Sequence, residues 1–143
     1  MKEKKIKTEL LDTKYDYIEK LSDVSAFDFM ISNQRKAFEA IKNNKNKILT
    51  IVNILANKLS KDKKGRLIYV GAGTSGRIGI QDGVELIPTF GWPKNRLVYL
   101  MAGGKKALLE SVEGAEDNEK EAKIDVKTHQ ISCNDIVIGI SAS

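Results

Sequence analysis

The sequence predicts an α/β domain: a parallel sheet with flanking helices, preceded by an N-terminal helical region. Three observations carry this. Leu67–Val70, Leu97–Met101 and Ile136–Ile140 are short, unbroken apolar runs separated by helix-length segments. Strands buried on both faces read as continuous apolar runs, which is the mark of a parallel sheet. A glycine-rich stretch, Gly71-Ala72-Gly73-Thr74-Ser75-Gly76, follows the first run at once. Upstream, apolar residues recur at helical spacing instead.

Taken in order, residues 1–60 form the helical region. Phe27, Met30, Ile31, Phe38 and Ile41 share one spacing pattern, and Ile48, Ile51, Val52, Leu55 and Leu59 share another. This pattern predicts a helical layer that packs on a sheet, with a dimer contact on one of its faces as the functional alternative. Between the two sets, Lys42-Asn43-Asn44-Lys45-Asn46 is polar and rich in poor helix formers, so a break is expected there. Residues 61–143 form the α/β part, opened by the turn signal Lys63-Lys64-Gly65. A helix from about Ser75 to Ile87 is expected to end at Pro88. After the second strand come Gly103-Gly104, a helix from about Lys106 to Val112, and a charged helix from about Asp117 to Val126. The third strand is followed by Ser141-Ala142-Ser143.

Composition narrows the function classes. The chain has 143 residues, 24 Lys+Arg and 19 Asp+Glu, for a net charge of +5. That balance favours an acidic ligand. Much of the excess lies in lysine runs at Lys2–Lys7 and Lys58–Lys64, without interleaved aromatic residues for base stacking, so nucleic acid is not an expected partner. No segment is apolar and long enough to span a bilayer, and no membrane partner is expected. A single cysteine, Cys133, excludes an internal disulfide framework and suits a reducing compartment, with the cytoplasm expected.

The glycine-rich turn has three readings. Gly71-x-Gly73-x-x-Gly76 matches the dinucleotide fingerprint, but the second strand ends Met101-Ala102-Gly103-Gly104-Lys105, without the carboxylate that binds a ribose. The same spacing opens a nucleotide-hydrolysing loop, yet Arg77-Ile78 stand where Lys and then Ser or Thr are required. Thr74 and Ser75 offer two hydroxyls beside free N–H groups at a helix start, which suits a phosphomonoester such as a sugar phosphate. A tight turn without a ligand is the plain alternative.

These residues resemble the phosphate loop of sugar isomerase domains. The wider set resembles N-acetylmuramic acid 6-phosphate etherases: the loop, then Glu85-Leu86-Ile87-Pro88-Thr89-Phe90-Gly91, Ala102-Gly103-Gly104, Val112-Glu113-Gly114-Ala115-Glu116-Asp117 and Asp135-Ile136-Val137-Ile138-Gly139-Ile140. The resemblance runs from about Thr8 to the last residue. It implies a Rossmann-like fold and a homodimer with sites near the subunit interface. It also implies cleavage of a lactyl ether, giving N-acetylglucosamine 6-phosphate and D-lactate during cell-wall recycling. No metal or organic cofactor is implied. By the same resemblance, Glu85 donates a proton to the departing lactate and Glu116 is the base at C2. Gly73, Thr74, Ser75, Gly76 and Ser143 surround the phosphate. A non-catalytic sugar-phosphate sensor and an aldose-ketose isomerase are the alternatives on this fold.

Read without the resemblance, the two glutamates differ. Glu85 stands near the end of an apolar segment, Ile78 to Ile87, where a carboxylate is costly unless paired or functional. Glu116 sits among Glu110, Glu113, Asp117, Glu119 and Glu121, and spacing alone makes it part of a solvated face. Arg77 and Asp82 either pair or miss each other, with Arg77 read as a structural or supporting group. His129 reads as exposed, Cys133 as a small core or loop residue, and Trp92 as packing in a turn. Family members usually carry Ala before the residue preceding the first glutamate, whereas this chain has Gly83-Val84. The chain reads as the N-terminal portion of such a protein, an incomplete domain whose third strand leaves an edge open to self-pairing.

Overall fold

A computed structural model describes residues 17–142. The chain separates into two compact units between Ile54 and Leu55. In the first, helix α1 spans Asp23–Asn43 and opens with Ser22 as N-cap, whose side chain accepts from the Ser25 N–H. Asn44 closes α1, and α2 (Lys45–Lys61) starts directly after it, so the polar asparagine stretch is indeed a break. Phe27, Met30, Phe38 and Ile41 on α1 are exposed. Of the apolar residues expected to pack on a sheet, Leu55 and Leu59 do so.

The second unit holds the sheet. Strands β1 (Leu67–Gly71), β2 (Leu97–Met101) and β3 (Ile136–Ile140) form a parallel sheet in the order β2-β1-β3. Register runs Leu67 with Leu97 and Ile136 through to Gly71 with Met101 and Ile140. The central strand is buried on both faces: Leu67 and Tyr69 on one, Ile68, fully enclosed, on the other. That burial is why these segments are unbroken apolar runs. Leu55, Leu59 and Leu86 pack against Leu67, Tyr69 and Ile136.

Helix α3 spans Gly73–Phe90, longer than expected at both ends. Pro88 does not end it. Pro88 lies in the last turn of the helix, and Gly91 in the left-handed conformation (φ +62°) supplies the stop. Gly91 and Trp92 donate to the carbonyls of Ile87 and Leu86. The helix expected at Lys106–Val112 is instead a 3-10 turn, Gly104–Leu108. One of its carbonyls, that of Ala107, accepts from the Arg77 Nε. Helix α4 (Glu119–Thr128) follows, with Asn118 as N-cap.

Two arginines, half-buried Arg66 and buried Arg96, hold the end of the sheet opposite the glycine turn. Arg66 and Asp135 form a forked pair, Nε to Oδ1 at 3.0 Å and Nη2 to Oδ2 at 2.8 Å, with the Asp135 side chain 2% exposed. Asp135 also accepts from the N–H groups of Arg66 and Ser132. The Arg66 hydrogen bond and these N–H groups hold its carboxyl well below the usual carboxylate range, despite burial acting the other way. Arg96 donates to the carbonyls of Gly65, Leu59 and Asp62, which closes the C-terminal end of α2, and lies over the Trp92 ring. Trp92 is thus packing in a turn.

Candidate active site

The glycine turn joins β1 to α3. Its first and third glycines serve the close approach of strand and helix: a Cβ on Gly71 would lie 2.6 Å from the Gly76 Cα, and one on Gly76 would lie 2.7 Å from the Gly71 carbonyl carbon. Gly76 is buried and its N–H donates to the Ala72 carbonyl at 2.9 Å. The middle glycine has a different task. Gly73 takes φ +51° with open space around it, and it is exposed. Left-handed and then helical backbone turns successive N–H groups toward one concavity.

Gly73, Thr74 and Ser75 precede the first intrahelical bond, so their N–H groups lie at the positive end of the α3 dipole. No side chain caps this end and no acidic residue lies in the first turn. An anion is the natural occupant of such a helix start.

A cleft of about 450 Å³ opens at this point. Ala72, Gly73, Thr74 and Arg77 line one side, and Ser111 through Glu116 line the other, with Ala102 and Ala107 between. The geometry therefore brings Gly73, Thr74 and Glu116 together. Spacing alone placed Glu116 on a solvated face; it is exposed, but it borders the cleft. Ser75 and Gly76 do not line the cleft. Ser143 lies outside the described residues.

Glu85 stands apart. It is eleven residues beyond Thr74 on the same helix, a rise of about 16 Å. Nor is it enclosed by apolar groups, as its neighbours in sequence suggested: it is exposed. The reason is the rotation of α3, which turns Gly76, Gly79 and Gly83 to the sheet. These small residues let the helix sit on Tyr69, Tyr99, Met101 and Ile140. Ile78, Val84 and Glu85 are left outside.

Arg77 and Asp82 miss each other. Asp82 accepts from the Tyr69 hydroxyl at 2.9 Å, while Arg77 donates to the carbonyls of Ala107 and Glu110, each at 3.0 Å. Burial and the Asp82 bond both push the Tyr69 hydroxyl's pKa up, so it stays a donor. His129 is half-buried, its Nδ1 3.0 Å from the Asp125 carbonyl, and Cys133 is exposed. Among the described residues, no group of three or more His, Cys, Asp or Glu side chains is placed to hold a metal ion. No described helix is long and apolar enough to cross a membrane.

Sequence reasoning missed the Arg66–Asp135 and Arg96 contacts. They join residues 31 to 69 positions apart, and no local spacing signals such pairs.

A parallel strand, a glycine-bearing turn and an uncapped helix start facing a cleft define an α/β domain whose helix start suits an anion. Residues 47–143 match the family described as the glucokinase regulatory protein N-terminal SIS domain, and the chain belongs to that family. Proteins named N-acetylmuramic acid 6-phosphate etherase are similar to it. That of Francisella tularensis subsp. novicida is 40% identical over 138 residues, covering 96% of this chain and 46% of the relative. That of Lactobacillus gasseri is 39% identical over 143 residues, covering 100% and 48%. A shorter match, to the Alkaliphilus metalliredigens protein, is 57% identical over 79 residues, covering 55% and 26%. The chain spans about half the length of the first two relatives.

Proposed function

We propose that the chain is the phosphate-binding and base-bearing part of a carbon–oxygen lyase. Its substrate is N-acetylmuramic acid 6-phosphate, its products N-acetylglucosamine 6-phosphate and D-lactate. The observation that carries this reading is the sharing of one cleft by the Gly73–Thr74 helix start and Glu116. The substrate phosphate sits on the N–H groups of the Gly73–Thr74 helix start, with the Thr74 hydroxyl beside it. The resemblance alone adds Ser143 as a further phosphate ligand.

On the ring-opened sugar, Glu116 removes the C2 proton, and the electron pair moves toward the C1 aldehyde. The C3–O bond then breaks and Glu85 protonates the departing lactate oxygen. Water adds at C3 of the unsaturated aldehyde and a proton returns to C2. Both a base and an acid are needed in such an elimination. The distance of Glu85 from its own chain's cleft supports a homodimer in which a second copy's Glu85 reaches the site. The cytoplasm suits substrate and cysteine usage alike.

The test is to incubate the protein as its gene encodes it with N-acetylmuramic acid 6-phosphate and to assay D-lactate. Glu116→Gln is expected to abolish exchange of the C2 hydrogen with solvent deuterium, and retained exchange removes Glu116 as the base. Sugar-phosphate binding without lactate would favour a non-catalytic sensor instead.

A further inference from the structure

We propose that Arg77 is a positioning residue, which fixes the cleft wall carrying Glu116 against the phosphate end. It lies one helical turn beyond Gly73 and Thr74, on the side of α3 that lines the cleft. Its Nε donates to the Ala107 carbonyl and its Nη2 to the Glu110 carbonyl, 30 and 33 residues away. These two acceptors bracket the place where the 3-10 turn ends and the chain enters Ser111–Glu116. That wall lies outside any helix or strand and bends at Gly114 (φ +70°).

On its near side the segment is anchored by buried Ala107, and by Val112 packed against Gly103. Backbone bonds from Leu109 and Glu110 both return to the Lys106 carbonyl, which tightens the turn but ties it to nothing on α3. Arg77 supplies that tie. A guanidinium presents its donors in a rigid planar fork, so two carbonyls bound by one arginine are fixed in spacing and direction together. Lysine keeps the charge but not the fork. The inference rests on the reading of Glu116 as the base at C2. It adds that the distance from phosphate to base is set through Arg77.

The test compares Arg77→Lys with the unaltered full-length protein. Amide hydrogen exchange over residues 109–116 is expected to speed up about tenfold or more, with Gly73–Gly76 unchanged. Affinity for inorganic phosphate and KM should hold within about threefold while kcat falls about a hundredfold, since a small misplacement of a reacting group is that costly. Loss of phosphate affinity with unchanged exchange over 109–116 would make Arg77 a phosphate ligand and overturn the proposal. Unchanged exchange and kcat would overturn it equally. Arg77→Gln, which keeps a single NH2 group and drops the charge, is measured alongside. Should neither variant fold, Arg77 supports the whole domain and not this wall, which again overturns the proposal. If the unaltered protein releases no lactate, the etherase reading fails, and the exchange measurement still decides the part played by Arg77.

Discussion

Asp135 is the residue whose chemistry most depends on the fold. Its side chain is enclosed, forked to Arg66, and bonded by two backbone N–H groups. Removing one member of such a pair leaves the other charge unmatched, so Asp135→Asn should cost about 3 kcal/mol in denaturant unfolding. Arg66 is 25% exposed, which keeps the figure at the low end of the range for buried pairs. The folded-state pKa lies below the unfolded value of 3.8. The stabilisation is therefore complete above the unfolded pKa and is lost as pH falls through the folded one. The gap between unaltered protein and Asp135→Asn should be wide at neutral pH and narrow steadily below about pH 4. A gap independent of pH would refute the assignment. Asp135 was legible in the sequence only as part of a block; its partner, 69 positions away, was not. The place of the glycine turn between strand and helix was legible, because its strand, turn chemistry and helix start are contiguous.

At the scale of the element, α3 decides the site. Gly76, Gly79 and Gly83 bring it down on the sheet, and their spacing of three and four residues marks one helix face. A Cβ on Gly76 would meet the backbone of Gly71, which cannot yield without moving β1. On Gly83 it would meet the rings of Tyr99 and Tyr69, at 2.6 and 2.9 Å. Alanine gains about 1 kcal/mol of helix propensity over glycine. Gly76→Ala should still lose about 2–3 kcal/mol net, and Gly83→Ala about 1 kcal/mol, because overpacking against rings is relieved by small side-chain shifts. Thermal unfolding of both variants checks this ordering, and equal losses would contradict it. The apolar look of Ile78 to Ile87 misled about Glu85. Periodicity marks a helix, but three glycines turned inward leave larger residues outside, and a hydropathy pattern does not register that.

For the molecule as a whole, β3 is an edge of the described sheet, with Val137 52% exposed. Exposed apolar edges pair with other chains, and a lysine on the edge discourages this. Val137→Lys should weaken self-association of the 143-residue chain about tenfold in sedimentation velocity, equivalent to ~1.4 kcal/mol. Undiminished association would place the contact elsewhere. By itself the sequence determined the α/β class, the three parallel strands, the break between α1 and α2, and the glycine turn from strand to helix. Each of these depends on neighbours within one element or one turn, where spacing is equivalent to geometry. Only the tertiary structure decided that Glu116 borders the cleft, that Glu85 does not, and that Arg77 joins the two cleft walls. Those facts follow from the rotation of α3 and from a loop some thirty residues downstream, and no local pattern encodes how such segments meet.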